Sequence, residues 1–348
     1  MAEILRALRA VLVGLALRLP ISWVNILVGP AVTIDGRTLD TRVQWFLKLL
    51  KWMDAEPVYT RTVDEVRETM DGVVPLLRGR APPVGQIIDR TIVGGLRVRI
   101  YRPAGSVARL LPTILYFHGG GWVTGSLEGF DLACRYFCAR SGCVVISVDY
   151  RLAPESKFPA AIEDARTAFD WVLANAATLG IDPARIVVAG DSAGANIATV
   201  LAQATRSAPQ PPCLQWLIYP PTDLACSTAS WTSLGDTYFP TRTGLAWYLD
   251  HYLNDMAEIA DPRVSPLRAP DLTGLPPTLV YTAGFDPLRD EGQAYANAMQ
   301  AAGVKVVHRE FDSLIHGFVG MNGVIHAAAR AMDDMVAGLR HELAQLGP

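Results

Sequence analysis

The apolar positions follow two rhythms, and the change comes near residue 81. Before it the spacing is helical. Ile4, Leu5, Leu8, Val11, Leu12 and Leu15 share one face of a helix, Arg6 and Arg9 lie off it, and Pro20 ends the pattern. This spacing predicts an amphipathic helix that packs on the rest of the protein or on a membrane surface. A signal peptide fits less well, because Glu3 sits in the basic region, Arg18 ends the run and no small-x-small site follows. Asp40 can cap a helix from Arg42 to Met53, and Val63 to Leu77 repeats the helical spacing.

Ala81-Pro82-Pro83 breaks this rhythm, and short strand-like runs follow. Gln86–Val93 and Leu96–Tyr101 read as strands joined by a Gly94-Gly95 hairpin turn. Further runs cover Thr113–Phe117, Val144–Val148, Arg185–Ala189, Leu214–Tyr219, Thr278–Thr282 and Lys305–Phe311. Several are apolar throughout, as strands covered on both faces are. Helical spacing fills Gly129–Ser141, Pro159–Leu179, Ala193–Arg206, Pro287–Ala302 and Val324–Leu346. The alternation predicts an α/β fold with a mostly parallel, eight-stranded sheet and helices on both faces. From Ala225 to Asp271 no strand is legible. That stretch carries Trp231, Tyr238, Phe239, Trp247, Tyr248 and Tyr252, as an extra layer of core or as the lining of a pocket.

Composition narrows the function. The 348 residues hold 31 Lys+Arg and 34 Asp+Glu, a net charge of −3, and half of them are apolar. The length allows two domains or one large one. The apolar half excludes intrinsic disorder, and the near-neutral charge excludes a basic footprint for nucleic acid. The clean apolar runs fall short of the ~18 residues that span a bilayer. Cys134, Cys138, Cys143, Cys213 and Cys226 match no metal-ligand spacing and read as small buried side chains in a reducing, cytoplasmic compartment.

Four places along the chain carry candidate chemistry. Gly190-Asp191-Ser192-Ala193-Gly194 lies between a strand and a helix, where small neighbours allow a sharp turn that exposes the serine hydroxyl. His118-Gly119-Gly120-Gly121-Trp122 follows another strand, and its bare amides suit an oxyanion. A phosphate loop fits poorly, since no Lys-Ser/Thr pair follows. A serine nucleophile needs a base, and the base an acid. Among six histidines, His316 alone stands in a loop after the last strand and before the last long helix. His118 reads as a brace for its loop and His308 as structural. Asp286 sits between a strand and Pro287, as an acid or as a simple helix cap; Asp290, Glu291 and Asp312 are rivals. The order Ser192…Asp286…His316 is that of the α/β-hydrolases.

Five stretches together resemble the hormone-sensitive-lipase-like (family IV) carboxylesterases of bacteria. His118 to Trp122 resembles the family's HGGG motif, and Gly190 to Gly194 its GDSAG form. Asp149 to Glu155 reads DYRLAPE, Asp286 to Gly292 reads DPLRDEG, and His316-Gly317-Phe318 matches HGF. The resemblance runs from about residue 85 to the C-terminus. It implies an α/β-hydrolase fold and a triad of Ser192, Asp286 and His316. It implies an oxyanion hole from the amides of Gly120, Gly121 and Ala193, with no metal and no cofactor. The substrate implied is a small ester of short to medium chain length. Trp122 and Asp191 are the candidate substrate contacts, and Trp122 could equally be core. The resemblance implies a cap built from residues 1–80 and 225–271, over a catalytic domain of residues 81–224 and 272–348. Ser156 and Lys157 depart from the family, which often carries His after the APE sequence. A monomer and a homodimer both fit. Two rival readings are a ligand-binding protein without catalysis and a lipase or amidase variant of the same chemistry.

Overall fold

The computed structural model describes residues 12–53, 56–77, 79–105 and 110–347. Residues on either side of Asp35-Gly36 form a small hairpin, β1 (Thr33–Ile34) and β2 (Arg37–Thr38), inside a stretch whose spacing predicts helices only. The eight expected strands are all present. They are β3 (Gln86–Thr91), β4 (Arg97–Arg102), β5 (Leu111–Phe117), β6 (Val144–Asp149), β7 (Ile181–Asp191), β8 (Leu214–Ile218), β9 (Thr278–Phe285) and β10 (Val306–Ile315). They form one sheet in the order β10-β9-β8-β7-β5-β6-β4-β3. The pairs from β10 through β6 are parallel, and β4 pairs antiparallel with both β6 and β3. At the predicted hairpin turn Gly94 and Gly95 take φ of 76° and 80°, a pair of positive values that side-chain-bearing residues resist.

Helices cover both faces. They are α1 (Ile21–Val28), α2 (Thr41–Trp52), α3 (Val63–Leu77), α4 (Leu127–Ser141), α5 (Ala160–Ala174), α6 (Ala176–Leu179), α7 (Ala193–Thr205), α8 (Ala229–Leu234), α9 (Arg242–Tyr252), α10 (Arg289–Ala301) and α11 (His326–Gln345). Strand alternation sorts the core into two layers. Leu115, Phe117 and Val188 pack with Ala165, Phe169 and Leu201 on one side. Ile114, Tyr116 and Val187 pack with Phe137, Met335 and Leu339 on the other. The expected helix 159–179 is broken into α5 and α6 at Asn175, whose side chain turns back to the carbonyl of Trp171 at 2.8 Å.

The caps follow the sequence. Asp40 accepts from the amides of Arg42 and Val43, and Glu65 folds back on the Thr62 amide at 2.9 Å. The first predicted helix lies mostly outside the described residues. Within them, Leu12 and Leu15 of its expected packing face are exposed, while Val13 and Leu17 are buried. The end of this segment is fastened to α2, where Trp45 donates to the carbonyl of Ala16 and Arg42 to those of Leu17 and Leu19. No described helix is long and apolar enough to cross a membrane.

Candidate active site

Every chemical group of interest begins one step past a paired rung of the sheet. Phe117 pairs with Gly190, and His118 follows it. Asp191 pairs with Ile218, and Ser192 follows. Phe285 pairs with Ile315, so Asp286 and His316 leave neighbouring strands side by side. The open edge of strand C-termini is where such sheets place ligands.

Ser192 sits at φ 53°, ψ −125°, a left-handed conformation that non-glycine residues avoid. Its amide donates to the carbonyl of Ile218 at 2.9 Å, which anchors the turn to β8. The turn needs bare neighbours. A β-carbon on Gly194 would meet the carbonyl oxygen of Phe117 at 1.9 Å. His316 Nε2 lies 2.8 Å from Ser192 Oγ, and its Nδ1 lies 2.7 Å from Asp286 Oδ2. Asp286 is fully buried. Its other oxygen accepts from the Leu288 amide at 2.8 Å, so it caps the turn and faces His316 at once. The Tyr219 ring packs 4.6 Å from the His316 ring.

Two of the rival acids are engaged elsewhere. Asp290 accepts from the Ser230 amide and pairs with Arg289. Glu291 is buried and accepts from the amides of Thr222 and Asp223 and from Trp231 Nε1. Burial pushes its carboxyl up to about 8 against the pull of those donors. Asp312 lies in the irregular stretch of β10 between Phe311 and Ile315. His308 bonds Thr282, and His251 bonds the Trp247 carbonyl of its own helix.

The glycine loop is held from below. His118 is buried, stacks on Tyr150 at 4.4 Å, and has Nδ1 2.8 Å from the Gly119 carbonyl oxygen. Burial lowers its pKa to about 4, which keeps the ring neutral. Gly120 and Gly121 take φ of 121° and 60°. Among the described residues their amides donate to no protein group. Ala193 opens α7, where first-turn amides lack partners within the helix.

The two expected substrate contacts, Asp191 and Trp122, are both buried. The Asp191 side chain faces the glycine loop and the Tyr219 that packs on His316. Its carboxylate is buried and accepts from the Gly119 amide at 2.8 Å, Tyr116 at 2.7 Å and Tyr219 at 3.2 Å. It therefore ties the glycine loop to the serine turn. Trp122 is buried too, with its indole stacked on Tyr252 at 4.4 Å and an interplanar angle of 5°. Lys157, where the family often has His nearby, donates to the carbonyls of Asp250 and Leu253 at the end of α9. Sequence reasoning missed Tyr219 and left Tyr248 among undecided aromatics. The adjacency of Tyr219 to the end of a central strand was the available signal.

A family model described as alpha/beta hydrolase fold matches residues 114–320. A carboxylic ester hydrolase of Mycobacterium tuberculosis, LipN, is 38% identical over 91% of this chain and 87% of its own length. The chain belongs to the hormone-sensitive-lipase-like family of α/β-hydrolases. An ethyl acetate hydrolase of Pseudomonas putida is 36% identical over 82% of this chain and 92% of that protein. Among solved structures, an ester hydrolase from the metagenome of Lake Arreo superposes with a TM-score of 0.84 and 38% identity. That match covers 89% of this chain and all of the other.

Proposed function

We propose that the protein is a serine carboxylesterase that hydrolyses short- to medium-chain carboxylic esters through an acyl-enzyme. The observation that carries this reading is the continuous relay from Ser192 Oγ to His316 at 2.8 Å and from His316 to Asp286 at 2.7 Å. In this mechanism His316 Nε2 takes the hydroxyl proton as Ser192 attacks the ester carbonyl. The amides of Gly120, Gly121 and Ala193 hold the resulting oxyanion. His316 then gives its proton to the leaving alcohol, and water activated by the same ring releases the acid. Asp286 stays ionised and fixes the imidazole tautomer. The ester-hydrolase names of the relatives support the reaction class, and no residue in the relay calls for a metal or cofactor.

Residues 1–80 and 225–271 form the cap in this reading, over a catalytic domain of residues 81–224 and 272–348. Arg67 of α3 supports it, donating to the carbonyls of Val123 and Ala153 and pairing with Glu155. A binding protein without catalysis is the rival, and it leaves the Ser192–His316 hydrogen bond without a purpose. An amidase or lipase would share the relay and differ in the pocket.

Turnover of a p-nitrophenyl ester series by wild type and Ser192→Ala tests the reading. Wild type is expected to favour the shorter chains, and Ser192→Ala to lose roughly 10³-fold or more in kcat. Near wild-type turnover by Ser192→Ala sinks the proposal. Tight ligand binding with no ester turnover by wild type favours the rival.

The partner surface is part of the same proposal. Ile21, Trp23, Ile26 and Leu27 of α1 are exposed, and Leu12, Leu15 and Trp52 join them. Residues 4–34 contain Arg6, Arg9 and Arg18 and no acid, while Lys48 and Lys51 lie exposed on α2. An uncharged helix rimmed by cations suits an anionic lipid surface.

A further inference from the structure

The oxyanion loop is packed from two sides, and one side comes from the inserted segment. Gly120 is held within its own loop. Its carbonyl accepts from the amides of Val123 and Thr124 at 3.1 and 2.9 Å, and from Thr124 Oγ1 at 3.0 Å. Gly121 makes none of these bonds. The ring of Tyr248 lies against it instead, so close that a β-carbon on Gly121 would stand 2.4 Å from Cδ1 and 2.7 Å from Cγ. The next residue, Trp122, is stacked on Tyr252. Tyr248 and Tyr252 are one helical turn apart on α9, so one face of that helix meets two consecutive loop residues.

Those two residues share a second property. Gly121 and Trp122 have φ of 60° and 61°, and a left-handed conformation at a tryptophan is one that its surroundings must enforce. The helix that presses on the loop is itself fastened at its end. Lys157 donates to Asp250 and Leu253, and the Phe158 amide donates to the Tyr252 carbonyl at 2.8 Å.

We propose that Tyr248 and Tyr252 are positioning residues for the oxyanion hole, holding the Gly121–Trp122 segment so that the Gly121 amide stays aimed at the developing charge. This rests on the reading of Gly121 as an oxyanion donor. The consequence concerns kcat rather than KM. An amide aimed at the oxyanion acts mainly in the transition state, and a misplacement of about 1 Å there costs on the order of 10²-fold.

Tyr248→Ala is the direct test, with active sites counted by titration with an organophosphonate. On p-nitrophenyl acetate the expected kcat per titrated site falls about 10- to 100-fold while KM stays within about threefold. A trifluoromethyl ketone, which becomes an oxyanion when Ser192 adds to it, should lose affinity in proportion. Tyr248→Phe keeps the ring and should recover kcat to within about threefold of wild type. A Tyr248→Ala enzyme with kcat per titrated site within about twofold of wild type overturns the proposal, as does a Tyr248→Phe enzyme as slow as the alanine variant. The two failures are separable. If Ser192→Ala remains active, the esterase reading itself fails; if Ser192→Ala is inactive and Tyr248→Ala is fast, only the positioning role fails.

Discussion

β6 and α1 are almost equally poor in charge, and the fold treats them in opposite ways. Val144, Val145, Ile146 and Val148 of β6 are fully buried. In α1 only Val24 and Val28 are buried, and Ile26 is 82% exposed. The strand lies between β5 and β4 with helices above and below, whereas α1 rests on α2 along one edge. Apolar character states that a side chain gains by leaving water; topology decides whether the chain supplies the cover. Where it does, the sheet becomes a rigid base for the serine, the acid and the histidine. Where it does not, the apolar face stays exposed.

The sharpest break of this contrast is a cavity in the covered region. Ile146→Ala should lower stability by ~2–5 kcal/mol, measured by denaturant unfolding. A loss under about 0.5 kcal/mol would show that β6 is not close-packed. An intermediate effect comes from His118, also deep in the covered region. Its folded pKa is about 4 against 6.5 for the free group. Between those values the unfolded chain binds a proton that the folded chain does not, so stability falls as the pH drops from 6.5 towards 4. The loss is on the order of 3 kcal/mol, and His118→Phe should flatten that part of the pH–stability curve. An unchanged slope in His118→Phe would assign the acid sensitivity to other groups. The smallest stability effect belongs to the uncovered helix. Ile26→Ala should change stability by no more than ~0.5 kcal/mol yet weaken binding to vesicles of anionic phospholipid. Unchanged vesicle binding would remove lipid as the occupant of that face.

The residues that the sequence made legible share one property: their signal is local. Each of the eight strands stood out as a short run bounded by turn signals, several of them apolar throughout, and Ser192, Asp286 and His316 stood out because each follows one. The hairpin at Asp35-Gly36 was hidden because two-residue strands leave no period to count, though Asp-Gly is a strong turn pair. Asp191 stood out as the neighbour of Ser192, but its bonds to Gly119, Tyr116 and Tyr219 join strands far apart in sequence and leave no local signal. Leu12 and Leu15 are exposed where the spacing put them on a packing face, and the bonds of Trp45 and Arg42 to the carbonyls of Ala16, Leu17 and Leu19 are ones that no periodicity reveals. Tyr248 was beyond reach for the same reason, since its contact with Gly121 spans more than a hundred residues of chain.

The rung positions described for the active site have a practical consequence. Four arms leave the sheet one residue after a paired rung, on strands β5, β7, β9 and β10. Slipping any one of them by a single residue moves its arm by ~3.3 Å and turns its side chains to the other face. A hydrogen bond of 2.7 or 2.8 Å does not survive such a shift. Ester turnover therefore doubles as an assay of strand alignment. In a refolding or expression trial, specific activity would count the molecules whose sheet centre has formed in register, a quantity that light scattering and circular dichroism average away.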